Sequence, residues 1–259
     1  MSRKQTDSRC LKIAIVFLLL LLGTAMLAVH PDWFDRPLAE RINILTNEWQ
    51  FADAFVLGLT YPTLEGVIVL SLVWCCWFSD IGAEGRASMV SGVFAAMCAA
   101  LVARFLQYTL PTAPKPIFDT MIALHFPPVL GDIESLRATG FANSHAFPSE
   151  RVTMFAGLGI TVFLVRRKLG LFAIGATTVI EISRIYLGLH YPTDILGSFS
   201  LAAFMAWLAQ MQWGSKLGLP FVRWENVSAS TFYMCAFFAC YQMTTAFQDL
   251  RDFVAQVLR

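Results

Sequence analysis

The segment Ser183-Arg-Ile-Tyr-Leu-Gly-Leu-His-Tyr-Pro-Thr-Asp194 sets Arg184 six residues before His190 and Asp194 four residues after it, in an otherwise apolar stretch. An arginine inside an apolar helix is costly to place in lipid, and one followed by a histidine and a carboxylate makes a set suited to handling an anion. The Arg184 guanidinium can grip two phosphate oxygens at once. His190 can attack as a nucleophile, and Asp194 can hold its tautomer and stabilise the imidazolium. Taken singly, Arg184 could snorkel, His190 could be an interfacial side chain and Pro192 could open a helix.

These residues need elements that bring them together, and composition says what kind. The 259 residues are 57% apolar and only 14% charged, with mean hydropathy +0.60. A soluble domain carries about 25% charged residues, so lipid is the solvent for much of this chain. A net charge of +1 and the lack of a basic run interleaved with aromatics exclude a nucleic-acid surface. The six cysteines have neither disulfide nor metal spacing, five of them lying in apolar runs.

Apolar runs long enough for the hydrocarbon layer cover Ile13 to Val29, Phe55 to Phe78, Ser88 to Leu110, Arg151 to Val165, Leu169 to Leu189 and Ile195 to Met211, with Thr231 to Phe247 as a possible seventh. The reading is all-α: a polytopic membrane helical bundle of six to seven spans, one domain over residues 1–259. The first run follows Arg3, Lys4, Arg9 and Lys12 and is too long for a signal h-region, which makes it an uncleaved anchor. The basic N-terminus and Arg166-Arg167-Lys168 fall on one side if spans alternate, and that side is cytoplasmic by the positive-inside rule. The segment with Lys216 and Arg223 joins them. The connections from His30 to Ala54 and from Pro111 to Pro148 then lie outside, and the prolines of the second forbid continuous helix.

The whole third segment, with its flanking Tyr-Leu-Gly and His-Tyr-Pro, resembles the S-R-x5-H-x3-D motif of the type 2 phosphatidic acid phosphatase (PAP2) family. The resemblance runs from about Arg104 to Gly197. It implies a helical membrane fold with a phosphate site at the outer ends of the middle spans. Arg184 becomes the phosphate binder, His190 the phosphoryl-accepting nucleophile and Asp194 its orienting carboxylate.

The family's other two motifs are altered. Its Pro-Ser-Gly-His appears as Pro148-Ser149-Glu150-Arg151. Ser149 and nearby amides at a helix start can still bind anionic oxygen. Arg151, however, replaces the histidine that protonates the departing oxygen, and a guanidinium binds phosphate but does not supply a proton. For the K-x6-R-P motif, Arg104 stands in for the lysine, and Lys115-Pro116 is the candidate second cation.

His145, three residues before Pro148, is a possible substitute acid; His125 and His30 are weaker ones. Glu181 is one turn before Arg184 and can hold its guanidinium, whereas Glu65 has no evident partner.

The expected protein is a lipid phosphate or diphosphate phosphatase working through a phosphohistidine, with no metal and no cofactor. Its partners are the lipid substrate and the bilayer, its place the cytoplasmic membrane, and its active site the outer face. Because phosphate departs without a proton near neutral pH and an alkoxide does not, the loss of the acid favours a diphosphate such as a polyprenyl carrier. A phosphotransferase using the same intermediate, or an inactive lipid-phosphate binding protein, is the alternative.

Overall fold

The computed structural model describes residues 3–131 and 145–257. Eleven α-helices occur among them. They are α1 (Arg3–Val29), α2 (Asp35–Asn43), α3 (Gln50–Leu59), α4 (Pro62–Trp77), α5 (Gly82–Thr109), α6 (Glu150–Val165), α7 (Arg167–Tyr186), α8 (Pro192–Ala209), α9 (Gln212–Val227), α10 (Ala229–Thr244) and α11 (Gln248–Val257).

The fold is an all-α membrane bundle centred on α6. Residues Val152 to Val162 of that helix are all buried, and α4, α5, α7 and α8 pack around it. Small residues make the close approaches: a side chain on Gly92 of α5 would collide with Thr161, and one on Gly157 with Ala96. In lipid, where apolar burial does little to join helices, such contacts let backbones approach and dispersion forces act. The outer faces stay apolar, with Leu101, Phe105, Phe172, Val179, Ile182 and Phe238 exposed, as a multi-pass membrane protein requires.

By length and composition α1, α5, α7 and α8 can each cross a membrane, and the run read as one span from Phe55 to Phe78 is instead two helices, α3 and α4, bent by 49° at their junction, a broken span or a re-entrant loop. Helices α6 and α10, of 16 residues each, are shorter than that standard, at about 24 Å. Helix α10 still runs the length of the bundle: Tyr233 meets Trp77 near one end, and Thr244 meets Arg151 near the other. Helix α9, which hydropathy left as a connection, lies against the first turns of α5, where Ser91 donates to the Gly214 carbonyl.

Two ends of the bundle are thus distinct. At one, Asp7 accepts from the Gln212 amide and Arg166 donates to the Asp80 carbonyl. This end collects the basic N-terminus, the Arg166 turn and α9. At the other end lie α2, the described part of the proline-rich connection, and the starts of α6 and α8.

The proline-rich connection is described as far as residue 131. Pro116–Phe118 forms a buried 3-10 turn, and the Ile117 amide donates to the Gly188 carbonyl at 2.8 Å. Its continuation, 132–144, lies outside the described residues.

Candidate active site

The turn between α7 and α8 builds the centre. Gly188 sits at φ 70°, a conformation a side chain would strain, and a Cβ there would also press on Phe126 and Leu124. Pro192 opens α8 without needing an amide partner. Asp194 then turns back to accept from the Tyr191 amide at 2.7 Å, with the same oxygen 3.2 Å from His190 Nδ1. Since that oxygen is an acceptor, the network assigns the ring proton to Nδ1 and leaves the Nε2 lone pair free.

His190 is 7% exposed. Burial drives its pKa down to about 3; Glu181 opposes the shift, and Lys115, Arg184 and Arg151 reinforce it. The imidazole is therefore neutral at physiological pH, the form in which it is a nucleophile.

Three cations act on it electrostatically. Lys115, 8% exposed, comes from the proline-rich connection within the influence of Asp194 and Arg184. Arg184, 6% exposed, is held by Glu181 at 3.3 Å, as the one-turn spacing implied. Arg151 enters from the first turn of α6, where its guanidinium meets the Thr244 carbonyl at 3.1 Å and Glu65 at 3.9 Å. Glu65 thus gains the partner that sequence could not name.

The other expected residues have partners of their own. Arg104 pairs with Glu150 at 2.8 Å and with the Tyr108 hydroxyl, and its side chain is 36% exposed. Its charge is thereby spent on Glu150 at the α6 start. The Ser149 amide, an expected anion donor, is taken by Ser198 Oγ at 2.8 Å, and Ser198 in turn donates to the Asp194 carbonyl at 2.6 Å. Ser149 therefore joins the start of α6 to α8. His145 is exposed and pinned by its ring to the Thr112 carbonyl. His125 serves through its backbone, which Asn43 brackets, and His30 stacks on Trp33.

Helix α2 contributes what the sequence reading missed. Buried Asp35 accepts from the amide and hydroxyl of Thr193, at the first turn of α8. Burial pushes its carboxyl up to about 7, against the Thr193 hydroxyl bond and helped by the charge of Asp194. Beside it, Arg36 Nε holds Asp119 at 2.9 Å, and Asp119 accepts from the Tyr191 hydroxyl at 2.7 Å. Burial raises the Asp119 carboxyl, but the bonds from Tyr191 and Arg36 outweigh it and hold it below its usual range. These contacts lock both residues flanking Pro192. The local signal was an amphipathic, charge-rich stretch, Asp35-Arg-Pro-Leu-Ala-Glu-Arg41, which a span search passes over.

Fold and site together define an all-helical membrane protein with a neutral, carboxylate-held histidine inside a cationic pocket. The family model described as the PAP2 superfamily matches residues 87–216, half of the chain, and the chain belongs to that superfamily. The bacitracin transport permease protein BcrC of Bacillus licheniformis is 36% identical over 70 residues, covering 25% of this chain and 34% of that protein. The chain therefore spans about a third of the length of this curated relative. The crystal structure of a transmembrane PAP2 type phosphatidylglycerolphosphate phosphatase from Bacillus subtilis aligns with a TM-score of 0.49 at 16% identity, over 76% of this chain and 93% of that one.

Proposed function

We propose that this protein removes the terminal phosphate of a membrane lipid phosphate, with a polyprenyl-type diphosphate as its favoured substrate. The observation that carries the reading is His190 itself: neutral, held at Nδ1 by Asp194, and ringed by Lys115, Arg151 and Arg184. In this scheme Nε2 attacks the terminal phosphorus in line, the bridging P–O bond breaks with its electron pair leaving on the lipid monophosphate, and water later resolves the phosphohistidine. The cations neutralise charge on the phosphoryl oxygens, an electrostatic role that needs no movement at the moment of reaction.

Substrate class follows from the leaving group. Arg151 stands where the family pattern has its proton donor, and a departing phosphate monoester needs no donor near neutral pH. A place for the lipid tail is at hand. A wholly apolar cavity of about 270 Å³ between α4, α5, α9 and α10 is lined by Leu70, Val93, Met97, Phe221 and Met243 among others. Its Met243 end adjoins Thr244, where Arg151 docks.

The bundle end carrying Arg166, Arg167 and Lys168 is assigned to the cytoplasm, which puts His190 at the outer face of the cytoplasmic membrane. The whole chain acts as one unit in this proposal, since Arg251 of α11 joins Arg104 in holding Glu150.

The test is phosphate release by the purified protein in nanodiscs, comparing a polyprenyl diphosphate with its monophosphate, with and without a lipid acceptor. Faster release from the diphosphate in the absence of acceptor is expected. Turnover only with acceptor makes the protein a phosphotransferase; binding without turnover makes it a lipid-phosphate binding protein.

A further inference from the structure

Two carboxyl groups lie inside the bundle near His190 and have no part in the scheme above beyond pairing with arginines. Glu65, in the first turn of α4, and Glu181, one turn before Arg184 on α7, are both 0% exposed. They lie on the packed helices α4 and α7 and act on each other electrostatically, and none of their four oxygens accepts a hydrogen bond from a donor among the described residues. Two ionised carboxylates buried near each other repel, and protonating one of them removes the repulsion.

The surroundings suit a pair carrying one negative charge. Arg184 Nη1 is 3.3 Å from Glu181 Oε1, and Arg151 Nε is 3.9 Å from Glu65 Oε2. Both guanidinium groups favour the remaining charge, which has no access to bulk water. Among the charged groups around His190, Glu181 exerts the largest electrostatic effect on the ring.

A phosphohistidine enzyme needs such a group for any substrate. Phosphate leaves unaided in the first step, but the water that frees His190 must lose a proton in the second. Arg151, in the place of the family's histidine, cannot take it. We propose that the Glu65–Glu181 pair is the proton acceptor for hydrolysis of the phosphohistidine, with Glu181 receiving the proton and Glu65 positioning it. This rests on the phosphohistidine reading above.

In the step, the water oxygen bonds to phosphorus as the P–Nε2 bond breaks and its electron pair returns to Nε2. The water proton passes to the ionised carboxylate, leaving both carboxyls neutral. Loss of one proton to solvent with the departing inorganic phosphate restores the singly protonated pair.

The experiment follows the phosphoenzyme in the full-length protein, using lipid diphosphate labelled in its terminal phosphate. Glu65→Gln, which leaves the Glu181–Arg184 ion pair intact, and Glu181→Gln should each accumulate phosphohistidine. Each should release a burst of about one lipid monophosphate per enzyme, followed by turnover slowed roughly 10²- to 10⁴-fold with little change in KM.

Slow turnover without phosphoenzyme, or wild-type turnover in both variants, would overturn the proposal. The wild-type protein gives an independent measure should the variants misfold: decay of phosphoenzyme formed beforehand should slow as the pH is lowered and the pair takes up its second proton. Arg151 and Arg184 flank the pair, and Lys115 is already cationic on the acid side of its pKa of about 8. Decay that is flat or faster in acid, as for an uncatalysed phosphoramidate, removes the pair from the step. If wild type forms no phosphoenzyme and His190→Ala still turns over, the nucleophile assignment fails instead, and this proposal with it.

Discussion

At the bundle end away from His190, Arg86 Nη1 donates to Glu225 Oε2 at 3.0 Å, and Glu225 Oε1 accepts from the Tyr233 hydroxyl at 2.5 Å. Trp77 Nε1 donates in turn to that hydroxyl, and the Arg86 guanidinium lies 5.3 Å from the Trp77 ring centre. Both Glu225 oxygens have donors. The cluster of Glu65, Glu181, Arg151 and Arg184 has the same residue types, deeper burial and four carboxyl oxygens without a donor. A buried charge network that only stabilises is closed on itself, because each unmet polar atom costs about 1–3 kcal/mol. One left open among the described residues beside the proposed nucleophile suits the proton-accepting role proposed above.

The strongest way to sharpen this contrast is His190→Ala. Turnover should fall about 10⁴-fold or more, with a stability loss of only about 1–3 kcal/mol from the lost bond to Asp194. Phosphate release beside a melting curve reads both. Asp194→Asn should come next, lowering kcat by roughly 10²- to 10⁴-fold through the wrong imidazole tautomer while lipid binding persists. An Asn that keeps wild-type kcat would remove Asp194 from the site.

Lys115 gives an effect visible only through pH. Burial drives its ammonium down to about 8, with Asp194 opposing the shift and Arg184 reinforcing it. The cation is present below that value and lost as pH rises through it, so kcat/KM should decline on the alkaline side near pH 8. Lys115→Arg keeps its charge at higher pH and should move that decline upward. The smallest effect belongs to the closed cluster. Glu225→Gln should cost about 1 kcal/mol of stability and leave kcat and KM alone, as seen in unfolding and activity measured side by side.

Where the sequence could be read, interactions were short. Asp194 reaches His190 within four residues and Glu181 reaches Arg184 within one turn, so spacing pointed to both pairs, while the roles of the first came from its resemblance to the family motif. The apolar runs likewise located the long helices α1, α5, α7 and α8, but not the break between α3 and α4 inside the run from Phe55 to Phe78. Helix α9 escaped because Lys216, Pro220 and Arg223 dilute its hydropathy, while its apolar face is recognisable only once α5 lies against it. Asp35 and Arg36 escaped because their partners Thr193 and Asp119 are 158 and 83 positions away.

By itself the sequence determined a greasy helical chain and the local triad Arg184, His190 and Asp194, since hydropathy and one-turn spacing act through neighbours along the chain. Only the tertiary structure decided which distant charges meet. It turned Arg104 toward Glu150, joined the Lys115 segment to the α7–α8 turn through the Ile117 amide and the Gly188 carbonyl, and paired Glu65 with Arg151, 86 positions later in the chain. The reason is physical: in an apolar interior a charge is tolerable only beside a partner, and chain order does not say which helix will carry it.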